Sequence, residues 1–187
     1  MRTDFLKKLT ACGSAIAWVE TQPDVDTAWR NCQRGDWMLW LLAKRDADRQ
    51  TLVLAACECA RLALPHVPDG EDRPRLAIET AERWAKGEAT LLEVRIGGGA
   101  AHLAAANATS AAASAAGDAA FAAASATDVA AYAASAADAA YAAADAADVA
   151  YAAFAAADVA DVGRKKTLAL CADIVRRHFP EPPKGLR

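Results

Sequence analysis

The chain has 187 residues, of which 53 are alanine, and a formal net charge of −3. Thirty-seven of those alanines lie between Ala100 and Ala160, and aspartate interrupts them too often to leave the run of about 20 large apolar residues that crosses a bilayer. Five cysteines are too few and odd in number for a secreted disulfide scaffold, and Met1–Thr10 lacks the apolar stretch of a signal peptide.

Short helices are predicted for the first half. Thr3 or Asp4 can cap a helix running through Cys12, with Gly13 ending it. Ser14–Thr21 reads as a second helix, stopped by Gln22-Pro23 because a residue before proline avoids the helical region. Asp24 or Asp26 can cap a third, to about Gln33. After the break at Gly35, Asp36 is placed to cap Trp37–Lys44, and a turn at Asp46–Asp48 leads into Arg49–Leu64. In that last helix Leu52, Ala55, Ala56, Cys59, Ala60 and Ala63 share one apolar face.

His66–Arg73 reads as a loop, and Pro65 ends the helix before it. Asp72 and Pro74 suit the start of a helix Arg73–Lys86, whose apolar face is Ala77, Ile78, Ala81, Trp84 and Ala85 and which Gly87 closes. Thr90-Leu91-Leu92-Glu93 is a capping-box pattern, and the helix it starts is expected to continue through Gly97-Gly98-Gly99. The other reading of that triplet is a hinge.

The alanine tract has two readings. Alanine has the highest helix propensity, so long helices reaching Gly163, with a break at Gly117-Asp118, are expected from composition. Asp118, Asp128, Asp138, Asp148 and Asp158 recur every ten residues. On a straight α-helix such a series steps round by about −80° each time, so it makes no single stripe. Ten is also twice the five-residue period of a pentapeptide β-helix, but alanine at three of seven inward positions is too small to fill that interior. Helix is therefore preferred. After Gly163, Thr167–His178 reads as a last amphipathic helix, followed by a loose tail from Glu181.

Charge is unevenly placed. Residues 96–163 carry seven aspartates and no Lys or Arg, while residues 164–187 carry seven basic and two acidic residues. No broad basic face is present, so direct nucleic-acid binding is not expected. The basic tail is expected to pack beside the acidic rod of the same molecule.

Catalytic and metal-binding patterns are missing. His66, His102 and His178 are scattered. Cys57 and Cys59, two apart on a helix, point about 200° apart and cannot share one metal ion; all five cysteines read as small buried apolar groups. Gly97-Gly98-Gly99 lacks the following Lys-Ser/Thr of a phosphate loop, and no serine stands in a nucleophile elbow. No enzyme, metal or cofactor is expected. Trp37 and Trp40, three apart on one helix, are candidate binding residues alongside their ordinary role as core. Tyr132, Tyr141 and Tyr151, with Asp138 and Asp148, are candidates for contact with a basic partner.

Two blocks carry a resemblance. Asp72-Arg73-Pro74-Arg75-x-Ala77-Ile78-Glu79, then Trp84-Ala85-x-Gly87-Glu88 and Ala101-His102, resemble immunity proteins of bacterial toxin systems. Ala28–Trp37 also resembles uncharacterised bacteriophage proteins. The resemblance implies a small helical protein that binds and neutralises a partner toxin; it implies no catalytic residue and no ligand.

The expected fold is all-α: one helical domain with a short-helix, Trp-containing half (1–95), alanine-rich helices packed closely (96–163), and a basic C-terminal helix and tail (164–187). The expected function is non-enzymatic neutralisation of a protein toxin or effector in the cytoplasm, without membrane contact. The alternatives are a phage-encoded anti-defence protein, binding a host defence protein or a nucleotide immune signal, and a structural protein that self-assembles into homo-oligomers through its alanine-rich helices.

Overall fold

The computed structural model describes residues 3–45, 47–67, 69–106 and 161–186. Among them are eight α-helices and no strand: α1 (Asp4–Lys8), α2 (Gly13–Glu20), α3 (Val25–Asn31), α4 (Gly35–Lys44), α5 (Arg49–Arg61), α6 (Arg73–Ala85), α7 (Leu91–Ala106) and α8 (Asp161–His178). The chain is an all-α helical bundle in this part, as composition and periodicity predict. The Asp series and Gly117-Asp118 lie outside the described residues.

Local chemistry sets most boundaries. Asp24 accepts the Thr27 amide at 2.6 Å and starts α3, and Asp48 accepts the Thr51 amide at 2.8 Å and starts α5. The capping box at α7 is closed in both directions: the Thr90 amide donates to Glu93 at 2.7 Å, and the Glu93 amide donates to the Thr90 hydroxyl at 3.3 Å. Helix α7 runs unbroken through Gly97-Gly98-Gly99, where Gly97 lies on Ala77 of α6, so the triplet is helix interior and not a hinge. Gly87 ends α6 with φ +78°, its amide bonded to the Trp84 carbonyl and that of Glu88 to Arg83, the paired bonds of a Schellman cap.

Five expectations about helix ends need correction. The first helix stops at Lys8, because Thr10 takes a left-handed φ of 60° and the Thr10 and Ala11 amides bond back to Lys7 and Leu6; Gly13 then opens α2. Asp36 lies inside the first turn of α4 and caps nothing, because its carboxylate is taken by Arg34. Likewise Asp72 precedes α6 but gives its carboxylate to Arg75. Helix α5 ends at Arg61, and a 3-10 turn at Leu64–His66 takes up Pro65. At the other end α8 begins six residues before Thr167 and passes through Gly163.

Packing runs as a chain of neighbours: α8 against α4 and α5, α5 against α6, and α6 against α7. The predicted face of α5 is fully buried, with Val53 and Cys57 beside it, and meets Ile78 of α6 and Val175 of α8 in one core. Small side chains let the backbones approach. Gly35 lies so near α8 that an added Cβ would fall 2.4 Å from the Cys171 Cβ. The C-terminal tail is also fixed: Arg45 donates to the Lys184 carbonyl at 2.9 Å, and Leu186 is buried. Tail residues were expected to be loose; a buried leucine and a bonded carbonyl are what tie them down. Among the described residues no helix is long and apolar enough to cross a membrane.

Candidate functional site

Helices α3 and α4 turn Trp29, Met38, Leu39 and Leu42 into the core, and α1–α4 together with the tail line a half-open cavity of about 370 Å³. Phe5 comes from α1, Trp18 from α2, Trp29 from α3, Trp40 from α4 and Leu186 from the tail. Trp18, Trp37 and Trp40 are only half-buried, so each keeps an uncovered edge or face. Trp18 and Trp37 meet with ring centroids 6.1 Å apart, inclined at 54°. That is the tilted contact their quadrupoles favour.

Charge enters the wall at one place. Arg34 donates through Nε to Asp36 Oδ1 at 2.9 Å and through Nη2 to Oδ2 at 2.5 Å. Its guanidinium carbon lies 4.3 Å from the centroid of the Trp37 ring. The bond to Asp36 holds the Arg34 guanidinium protonated above its usual range, and the Asp36 carboxylate is buried against it. The two charges therefore cancel within the wall.

Long-range bonds fix the walls. The Trp29 indole N–H donates to the Phe179 carbonyl at 3.0 Å, and Arg176 of α8 donates to the Cys32 carbonyl at 2.7 Å. Burial pushes the Cys32 thiol up to about 11. Thr10, the residue with the left-handed backbone, is also on the cavity wall.

Trp37 and Trp40 thus come together on one wall, as their spacing predicts. Tyr132, Asp138, Tyr141, Asp148 and Tyr151 lie outside the described residues. Phe5, Trp18, Arg34 and the tail were missed. Helices of five to eight residues are too short to show a periodic face, and only the Arg34-Gly35-Asp36 charge pair before a Trp-rich helix gave a signal. The expectation of five buried cysteines holds for Cys32, Cys57, Cys59 and Cys171; Cys12 is exposed, because it precedes α2 at the cavity rim. No group of three His, Cys, Asp or Glu that could hold a metal occurs among the described residues. His178 is instead bonded to Glu58 of α5, Nε2 to Oε2 at 2.9 Å.

A second surface lies on α7. Leu92, Ile96 and Leu103 are 68%, 65% and 61% exposed, against a core position such as Val94 at 0%. Their spacing of four and seven puts them on one stripe, away from the face that Gly97 presents to α6.

The Imm-5 like putative immunity protein family matches residues 43–167. The chain belongs to this family. Within this Imm-5 like protein the match takes in α5, α6 and α7, and so the exposed stripe. The cavity-lining residues fall in two groups, from Phe5 to Leu41 and at Pro182 and Leu186, and all lie outside it. No curated protein and no solved structure matches the chain.

Proposed function

We propose that this protein is a non-enzymatic binding protein that neutralises a protein toxin or effector by covering it. The observation that carries this reading is the stripe Leu92, Ile96 and Leu103, turned to solvent on α7 inside the segment that matches an immunity family. Three large apolar side chains in line on one helix are an unusual solvent face and suit a partner's apolar patch. Each is worth about 1.5–3 kcal/mol when covered, so the stripe supplies a binding centre that surrounding polar contacts then orient. Asp138 and Asp148 with Tyr132, Tyr141 and Tyr151, outside the described residues, are carried in the same proposal as candidate contacts for a basic partner, on their residue types alone.

The test is growth rescue. Toxic open reading frames from the source genome are co-expressed with the chain or with its Leu92→Lys/Ile96→Lys variant. Rescue from one toxin by the native chain, and loss of rescue in the variant at equal expression, is the expected result. A chain that rescues from no toxin overturns the function. Rescue that survives the double substitution overturns the surface.

A further inference from the structure

The cavity between α1–α4 and the tail is a different feature, built wholly from residues outside the family match. We propose that it is a binding site for a neutral, planar aromatic small molecule. This goes beyond toxin neutralisation and does not depend on it.

Size comes first. At about 370 Å³ the cavity falls in the range of small-molecule sites, roughly 300–1,000 Å³. Shape and lining come next. Trp18, Trp37 and Trp40 present half-covered rings on two helices, and Phe5 and Leu186 close other sides. Flat π-surfaces are matched by a flat ring system, through offset or tilted stacking.

Charge decides the ligand class. Arg34 and Asp36 are the charged side chains of the wall, and they satisfy one another through a two-bond fork. Asp36 takes two of the five Arg34 N–H donors and balances its charge, so an anionic ligand such as a nucleotide finds donors but no net counter-charge in the wall. A cationic ligand likewise meets a carboxylate that is already paired. A neutral ligand needs no counter-charge.

Thr10, whose left-handed φ of 60° closes the C-terminal cap of α1, turns the chain between α1 and α2 on the cavity wall.

The experiment uses the full chain and two matched fluorescent probes. N-phenyl-1-naphthylamine is neutral; 8-anilinonaphthalene-1-sulfonate is its sulfonated, anionic counterpart. The expected result is saturable binding of the neutral probe at one site, at least tenfold tighter than the anion, with quenching of tryptophan emission. Cys12→Trp, which fills the mouth from an exposed rim position, should weaken the neutral probe at least tenfold while circular dichroism and the unfolding midpoint stay unchanged. Asp36→Asn, which leaves Arg34 without its carboxylate, should shift preference at least fivefold toward the anion. Leu92→Lys/Ile96→Lys should leave both probes unaffected, which separates this site from the toxin surface. The proposal is overturned if the neutral probe does not saturate, if the anion binds as tightly, if Cys12→Trp has no effect, or if the α7 variant removes binding.

Discussion

Gly35 of α4 and Cys171 of α8 are in contact through the absence of a side chain on one of them. A Cβ on residue 35 would lie 2.4 Å from the Cys171 Cβ, 2.7 Å from its carbonyl carbon and 2.8 Å from the Ala172 nitrogen. Two of those three atoms are backbone, so no rotamer change makes room. Gly35→Ala is expected to push α4 off α8 and destabilise the protein by about 1–3 kcal/mol, the usual cost of overpacking. Urea unfolding measures it. A variant within about 0.5 kcal/mol of the native chain would show that the helices can slide apart freely.

Thr10 gives a prediction of opposite sign. It occupies the left-handed position of a Schellman cap, which glycine fills without strain. Thr10→Gly should raise stability by about 0.5–1 kcal/mol, since relief of left-handed strain exceeds the added freedom of glycine in the unfolded chain. An unchanged or lowered unfolding midpoint would contradict it.

Thiol reactivity should divide four to one. Cys12 is exposed, whereas Cys32, Cys57, Cys59 and Cys171 are buried. Burial pushes the Cys32, Cys57 and Cys59 thiols upward, away from the reactive thiolate. Titration of the native chain with an aromatic disulfide reagent at mildly alkaline pH should release one equivalent quickly and the rest only on unfolding. Two or more fast equivalents would mean that the core opens locally.

Glu58 predicts an acid limb. Burial raises its pKa, but bonds from His178 and Arg177 outweigh that and leave it below the ordinary glutamate value of 4.5. A lowered folded value means that the pairing stabilises the native state fully above 4.5 and is lost as pH falls through the lower folded value. Glu58→Gln should therefore be less stable than the native chain at neutral pH, with the gap closing at acid pH. Because the pair is partly exposed, the neutral gap should be modest, about 1 kcal/mol or less. A gap that persists unchanged below the folded value would assign the effect to something other than charge.

Legibility in the sequence followed the range of the interaction. The apolar faces of α5 and α6, the Asp24 cap and the Thr90–Glu93 box are local patterns, and each appears where residue spacing places it; Asp48, read only as part of a turn, is also a cap. Asp36 and Asp72 failed as caps because arginines two and three residues away offered their carboxylates a stronger, charge-assisted partner. Trp37 and Trp40 were legible as a pair on one helix. Their cavity was not, because its other walls come from Phe5, Trp18 and Leu186, separated by up to 181 positions. Nothing periodic links such residues. The tail was misread for the same reason: its composition is that of a loose end, while Arg45, far upstream, holds it.

That distance also sets an order in time. Trp29 is bonded to Phe179, Cys32 to Arg176 and Arg45 to Lys184, so these long-range bonds of the first helices form only when the last residues exist. During synthesis the ribosome needs roughly ten to thirty seconds to pass from Leu41 to Leu186 at typical rates. Through that interval Trp18, Trp37 and Trp40 lack the wall that the tail supplies, while α5–α7 can already collapse on one another. A nascent chain stalled before Pro182 is thus expected to carry a folded centre and an open, tryptophan-lined N-terminus, the kind of surface that chaperones hold.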